Sequence, residues 1–396
     1  MRYFWDTRGQ FTEGWIRLER AVDVHGAHDL VRLEALIGAG LATHRLAHAR
    51  SDDLLGEAIL LAQELGSAAR EAEATLWLAN GRSFTHGEAD AEPLRLRALA
   101  LAKAAGDRRF ETLALMELGR GAWLRGRLAE AQDLYLQSAG LGREAGCVID
   151  TPSAIHGAGM CALDQLDFAT ARRLLDEALV QHRRVGNSHE AAVTLWHLGR
   201  LAQNENRLDE ARALSAESLR VFNALLDPKC GGRVARIHAT VLSGMGDDAA
   251  ALQHAESAVE TLSGLGMPLA MAISLCTVGC IHAKLGQGDA ARRALFSGLL
   301  EQQRADRDTY LPELLEAVAA MHPEIPAAAQ LLGSAAAVRE RLDTPLLPVD
   351  REVSERRHAD VRARHPASEF NCAFAAGRTL TRDEAIQNAL ALQRHS

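Results

Sequence analysis

Lysine is nearly missing from this chain: Lys103, Lys229 and Lys284 are its only three among 44 basic residues, and 52 acidic residues leave a net charge of −8. That balance excludes a non-specific nucleic-acid binder, which needs a basic face to neutralise phosphates. Aromatic residues are also few, with 5 Trp, 3 Tyr and 9 Phe in 396 positions, and there are 10 prolines. Strands favour aromatic and β-branched residues, so this composition leans helical. No apolar run is long enough to span a bilayer, because the most apolar window, residues 267–283, is broken by Pro268, Ser274, Thr277 and His282. The N-terminus has no apolar stretch followed by a small-residue cleavage site, so a cytoplasmic protein without membrane association is expected. Its six cysteines (Cys147, Cys161, Cys230, Cys276, Cys280 and Cys372) are then expected as thiols. What is abundant is apolar residues, 47% of the total, which excludes a disordered chain.

Glycine is placed with a period of forty. It stands at Gly26, Gly66, Gly106, Gly146, Gly186 and Gly266, with Leu226 and Asp306 filling the other two positions of that register. Three further registers hold small residues throughout. They are Ser51 with Ala91, Ala131, Ala171, Ala211, Ala251 and Ala291; Ala79 with Gly119, Gly159, Gly199, Ala239, Gly279 and Ala319; and Ala58 with Ala98, Ser138, Ala178, Ser218, Ala258 and Gly298. A period of this length signals stacked supersecondary units. Each unit reads as a helical hairpin, as in the stretch 110–124, a break at Arg125-Gly126-Arg127, and the stretch 128–144. Glycine closes the second helix as a left-handed C-terminal residue, and Asp107, Asn187 and Ser188 supply polar caps. The small residues let two helix axes approach, so a large side chain at Gly119 or Gly199 is expected to push its hairpin apart.

The spacing of Gly119, Ala131 and Ser138, repeated at Gly159, Ala171 and Ala178 and at Gly199, Ala211 and Ser218, is similar to the three small anchors of the tetratricopeptide repeat. Two departures stand out. Arg143, Arg183 and Asn223 occupy the place of the family's proline, and the unit is 40 residues rather than about 34, so the second helix is expected to run longer. The fold class that follows is all-α: a right-handed superhelical solenoid of 40-residue hairpins with a C-terminal helical cap. Residues 1–26 form a partial first repeat, 27–326 the repeats and 327–396 the cap.

Both ends resemble a narrower group. The opening from Tyr3 to Gly14 with Leu18-Glu19-Arg20-Ala21, and the closing Leu331-Leu332-Gly333-Ser334 through Arg341 with Phe374-Ala375-Ala376-Gly377-Arg378, look like the helical sensor arm of bacterial LuxR-type signal-transducing ATPases. Those regulators carry a phosphate-binding loop outside the arm. No G-x-x-x-x-G-K-[ST] occurs here, and Gly231-Gly232-Arg233 lacks both the lysine and the spacing. The chain therefore reads as the arm alone, able to dock onto an ATPase or DNA-binding module, with Phe4 and Trp5 on its incomplete first hairpin.

Candidates for chemistry reduce to structural readings. His44 and His48, four apart, have no third ligand and read as solvated helix residues; Cys276 and Cys280, also four apart, read as packing thiols. Asp52-Asp53 and Asp247-Asp248 fall where carboxylates favour a helix N-terminus. Arg351, Arg356, Arg357, Arg362 and Arg364 alternate with acids and read as a solvated face. No catalytic residue, metal site or cofactor is expected.

The resemblance assigns a concave groove to positions three before, one after and four after each glycine anchor. Those positions hold Met116, Arg120 and Trp123; His156, Met160 and Leu163; Trp196, Arg200 and Gln203; Arg236, Thr240 and Ser243; and Cys276, Cys280 and Ala283. Asn80 and Phe84 extend the set upstream, and Asn204 and Lys284 lie one residue further along. Arginine, tryptophan and methionine suit recognition of a protein segment or peptide, in a locally basic groove open to an acidic partner. A small-molecule inducer held by Trp123, Trp196, Gln203 and Asn204 is the second reading, as in an activator of that group whose arm binds its inducer. An all-helical enzyme is the third, and would require a deep polar cavity with strongly shifted pKa values.

Overall fold

The computed structural model describes residues 16–18, 22, 30–45, 50–305, 307–342 and 345–392, and nothing in them is a strand. The partial first hairpin expected at 1–26 lies outside these residues apart from 16–18 and 22, as do Phe4, Trp5 and His48 and the side chains of His44 and Phe84. No helix among the described residues is long and apolar enough to cross a membrane.

Helices follow one another in the order α1 (Leu30–Arg45), α2 (Ser51–Glu64), α3 (Ala68–Thr85), α4 (Glu88–Ala105), α5 (Arg108–Leu124), α6 (Leu128–Glu144), α7 (Asp150–Asp164), α8 (Phe168–Arg184) and α9 (Ser188–Asn204). They continue with α10 (Leu208–Ala224), α11 (Pro228–Gly244), α12 (Asp248–Leu262), α13 (Pro268–Lys284), α14 (Gly288–Arg304), α15 (Leu311–Met321), α16 (Pro326–Leu342), α17 (Pro348–Arg362), α18 (Ala367–Gly377) and α19 (Arg382–Ala391). The chain divides into two compact units, residues 1–163 with 167–191, and residues 164–166 with 192–396. In each, antiparallel helical hairpins of tetratricopeptide type stack side by side, and α15 and α16 form a hairpin that crosses residue 326.

The forty-residue register is a backbone register. Gly66, Gly106, Gly146, Gly186 and Gly266 all have positive φ, between 64° and 71°, and each follows a helix. Leu226 occupies the same register and the same left-handed conformation with φ 54°. A second left-handed series sits twenty residues out of step, at Gly126, Leu166, Asn206, Gly246 and Gly286. Aspartate and asparagine then reopen the chain into helix: the Asp107, Asp167, Asp227 and Asp247 carboxylates accept from the backbone N–H three residues on, at 3.0–3.1 Å, and Asn187 Oδ1 does the same for Glu190. The extra length of the forty-residue unit is shared by both helices rather than confined to the second. In α5/α6 and α13/α14 both helices have 17 residues, because an antiparallel pair buries its apolar stripe along its whole length only when the partners match.

The small residues lie where hairpin helices touch. A Cβ on Gly279 would stand 2.6 Å from Leu295 Cγ and 3.1 Å from Ala291 O, and one on Gly159 2.9 Å from Leu175 Cγ. At Gly199 the nearest neighbours of such a Cβ are 3.5 Å away, so a methyl group fits there, whereas at Gly119 Tyr135 and the Ala131 carbonyl stand at 3.2–3.3 Å. The hydroxyls of Ser138 and Ser218 donate to the Thr112 and Ala192 carbonyls at 2.8 and 2.7 Å, a bond back to the residue 26 earlier in both cases.

Candidate functional site

In the unit of α1–α8, every arginine near the expected groove positions is matched by an acid. Arg120 Nε donates to Glu117 Oε2 at 2.7 Å, and Arg120 Nη2 to Asn80 Oδ1 at 3.1 Å. Arg95, wholly buried, pairs with buried Glu88, which also accepts from Ser83. Burial acts to raise the Glu88 pKa, but bonds from Arg95 and Ser83 hold it below the usual carboxylate range. Met116 and Trp123 pack partly buried against the core around Tyr135, while Met160, His156 and Leu163 are buried. Burial lowers the His156 pKa, and it lowers that of the neighbouring, fully buried His182 to about 4; neither ring nitrogen of His182 has a hydrogen-bond partner among the described residues. Glu190 beside them is held down at about 2: burial opposes ionisation, and His189 and the two histidines outweigh it.

The unit containing α10–α19 differs. Trp196 is 7% exposed, stacks on His197 with ring centroids 5.0 Å apart, and lies 4.6 Å beneath the Arg233 guanidinium. Its indole N–H is buried without an acceptor among the described residues. One turn on, Arg200 reaches Asp164 at 3.4 Å, Asn204 donates to the Arg200 carbonyl at 2.8 Å, and Gln203 donates to Thr240 at 3.4 Å. Lys284 is tied to Ser243 Oγ at 2.7 Å and lies 3.7 Å from Asp248.

The chain's own C-terminal region returns to this face. Val349 N, in the first turn of α17, donates to Asn204 Oδ1 at 3.4 Å; Arg357 donates to Cys280 Sγ at 2.9 Å and to the Glu313 carbonyl at 3.4 Å. Glu316, which stands three before the Ala319 anchor and so continues the groove register, accepts from Ser354 at 2.7 Å, bonds His358 at 3.1 Å and pairs with Arg339. Those partners hold Glu316 at about 2 against its burial, while burial raises Glu313 to about 7. Two readings are thereby corrected. Arg357 belongs to no solvated face, since α17 turns it inward, and Cys280 is more than a packing thiol. A hydrogen bond from Cys276, aided by Arg357, pulls the Cys280 thiol below its ordinary range despite its burial. Asp247 and Asp248 do sit at a helix start, with Asp247 as the cap of α12.

Sequence reasoning missed Arg233, Glu313, Glu316 and the whole of α17 as parts of this face. Arg233 and Glu313 each lie one helical turn before a groove position, so the helical period of each first helix already contains them. Nothing local marks α17.

Comparison with known proteins agrees with this architecture. The tetratricopeptide repeat family pattern matches residues 150–224. The regulatory protein AfsR of Streptomyces griseus is 28% identical over 224 residues, 48% of this chain and 23% of AfsR, so the match spans about a quarter of that relative. The Rap conjugation gene regulator of plasmid pLS20, solved in complex with the Phr* peptide, superposes with a TM-score of 0.57 at 12% identity, covering 86% of this chain and 96% of that one. A signal transduction ATPase with numerous domains from Pyrococcus horikoshii, which carries a tetratricopeptide repeat sensor, gives 0.54 at 10% identity over 92% of this chain and 55% of that one. At these identities the two structures establish the fold.

Proposed function

We propose that this chain is a non-enzymatic recognition arm that holds a peptide or protein segment along the face of its first helices, within a LuxR-type or related ATPase-linked regulator. The observation that carries the reading is α17: the same face that presents Trp196, Arg200, Asn204 and Arg236 already takes a helix of this chain at Asn204 and Cys280. A face that accepts polypeptide in cis has the side chains to accept it in trans. The regulatory name of the AfsR relative, the sensor of the ATPase and the peptide in the Rap complex support the same reading. Stacking of a sugar-like inducer on Trp196 is less favoured, because that ring already meets His197 and Arg233.

Displayed random peptides selected on the intact protein test this. Selected binders are expected to lose affinity at least tenfold with Arg200→Ala and Asn204→Ala, and to be unaffected by Arg220→Ala on the exposed side of α10. Binders indifferent to the first two changes would overturn the assignment.

A further inference from the structure

Arg357 of α17 donates from Nη2 to Cys280 Sγ at 2.9 Å, which sets a guanidinium directly on a sulfur. Cys276 stands one turn earlier on the same face of α13 and shares a hydrogen bond with Cys280. That bond, together with burial and the charge of Glu313 on α15, pushes the Cys276 thiol up. The same bond, with Arg357 and Lys284, holds Cys280 below the ordinary thiol range against its burial, so the negative charge of the pair belongs to Cys280. Access differs too: Cys276 is 4% exposed, while Cys280 is partly open to solvent. A sulfur beside a cation, partly accessible and next to a second thiol, has the surroundings of a reactive cysteine. Other cysteines lack this combination. Burial and Asp150 push Cys147 up, Cys161 is wholly buried, and exposed Cys372 has no hydrogen bond to its sulfur among the described residues. The bond also has a mechanical place. Of the 15 residues of α17 only Ser354 and Val361 are buried, so polar contacts hold this helix. Ser354 and His358 meet Glu316 of α15, and Arg357 spans from the Glu313 carbonyl to Cys280, which carries α17 onto α13.

We infer that Cys280 is a modification site, oxidised by a hydroperoxide to a sulfenic acid, and that this oxidation loosens α17 from α13. The inference goes beyond the recognition proposal and does not depend on what that face binds. In the step, the Cys280 thiolate attacks the outer oxygen of the hydroperoxide. An S–O bond forms and the O–O bond breaks; sulfur is oxidised by two electrons, and the peroxide is reduced to water or an alcohol, its leaving oxygen taking a proton from solvent. The added oxygen enters the gap that the Arg357 guanidinium fills at 2.9 Å, and the neutral product no longer holds that cation by charge. Two equivalents of a small thiol reverse the change, releasing water and their own disulfide.

The test treats the intact chain with hydrogen peroxide and dimedone, which traps sulfenic acids, and reads each cysteine by peptide mass spectrometry. The adduct is expected to form about tenfold faster at Cys280 than at Cys372, although Cys372 is the more exposed. Cys276→Ser keeps a hydrogen-bond donor and cannot close a disulfide, so trapping in that variant also counts any product that a disulfide would hide. The pH midpoint of iodoacetamide alkylation at Cys280 is expected to rise in Arg357→Gln and in Cys276→Ala, a shift that greater exposure of the sulfur does not produce. Arg356→Gln removes a positive charge from the exposed side of α17 and is expected to leave that midpoint in place. Hydrogen exchange in residues 348–362 is expected to quicken several-fold after peroxide, to recover with dithiothreitol, and to stay unchanged by peroxide in Cys280→Ser. Far-UV circular dichroism establishes that each variant is folded. Faster trapping at Cys372 than at Cys280 in both the natural chain and Cys276→Ser would overturn the proposal. So would an unmoved midpoint in both Arg357→Gln and Cys276→Ala, or unchanged exchange in α17 once Cys280 is fully oxidised.

Discussion

Arginines emerge from the hairpin helices of both units and differ in what faces them. In the unit of α1–α8, Arg120 has Glu117 and Asn80, Arg95 has Glu88, and Arg125 reaches both oxygens of Glu92. In the unit containing α10–α19, Arg339 and Arg357 hold α17, while Arg233 and Arg236 close no ion pair among the described residues. The lesson is that a repeat specifies where a side chain emerges and leaves its charge state to its neighbours. Matched arginines serve stability; unmatched ones are available to a ligand at a cost in electrostatic repulsion.

The sharpest way to break this contrast is at Arg95. Arg95→Met strands the buried Glu88 carboxylate and should cost about 3 kcal/mol in urea unfolding. A loss below 1 kcal/mol would remove the claim that this unit's arginines are structural.

His182 comes next. Its folded pKa of about 4 lies below the ordinary 6.5, so the unfolded chain takes up the proton first and stability is lost as pH falls from 6.5 toward 4. His182→Leu should flatten that window, narrowing the difference in unfolding free energy between pH 7 and pH 5 by roughly 2 kcal/mol. Glu190, held at about 2, adds a loss of the same sign only at lower pH, between its ordinary 4.5 and 2. An unchanged slope above pH 4.5 in the variant would show that His182 is not the group responsible.

A smaller effect belongs to the backbone register. Leu226 is 86% exposed and left-handed, so Leu226→Gly relieves a strained conformation without uncovering a core, and should raise the unfolding free energy by about 1 kcal/mol. Destabilisation instead would mean that the leucine contributes contacts that outweigh its strain.

Smallest is Arg236→Gln, expected to alter stability by less than about 0.5 kcal/mol, because Arg236 closes no ion pair or hydrogen bond among the described residues. Thermal melts of Arg236→Gln and Arg95→Met side by side test the comparison directly; similar losses would dissolve it.

Much of the architecture was legible in the residues. Glycine every forty positions marked left-handed helix ends, because glycine reaches positive φ without a steric penalty, and small residues marked helix contacts that form between sequence neighbours. Leu166, Asn206 and Leu226 escaped that logic, since they take the same conformation only because the hairpin around them demands it. The candidate site was legible in part. Trp196, Arg200, Asn204 and Arg236 were named from or beside the groove positions that the resemblance assigns, but the buried indole N–H and the stacking of Arg233 were not, because they depend on the packed surroundings.

By itself, then, the sequence determined a helical array of forty-residue hairpins, since its period, caps and small residues act over one or two turns or between adjacent helices. Only the tertiary structure decided which groove is filled and which charge is left over. Asn204 meets Val349 across 145 residues of chain and Cys280 meets Arg357 across 77, and no local pattern encodes contacts that depend on where a distant helix comes to rest.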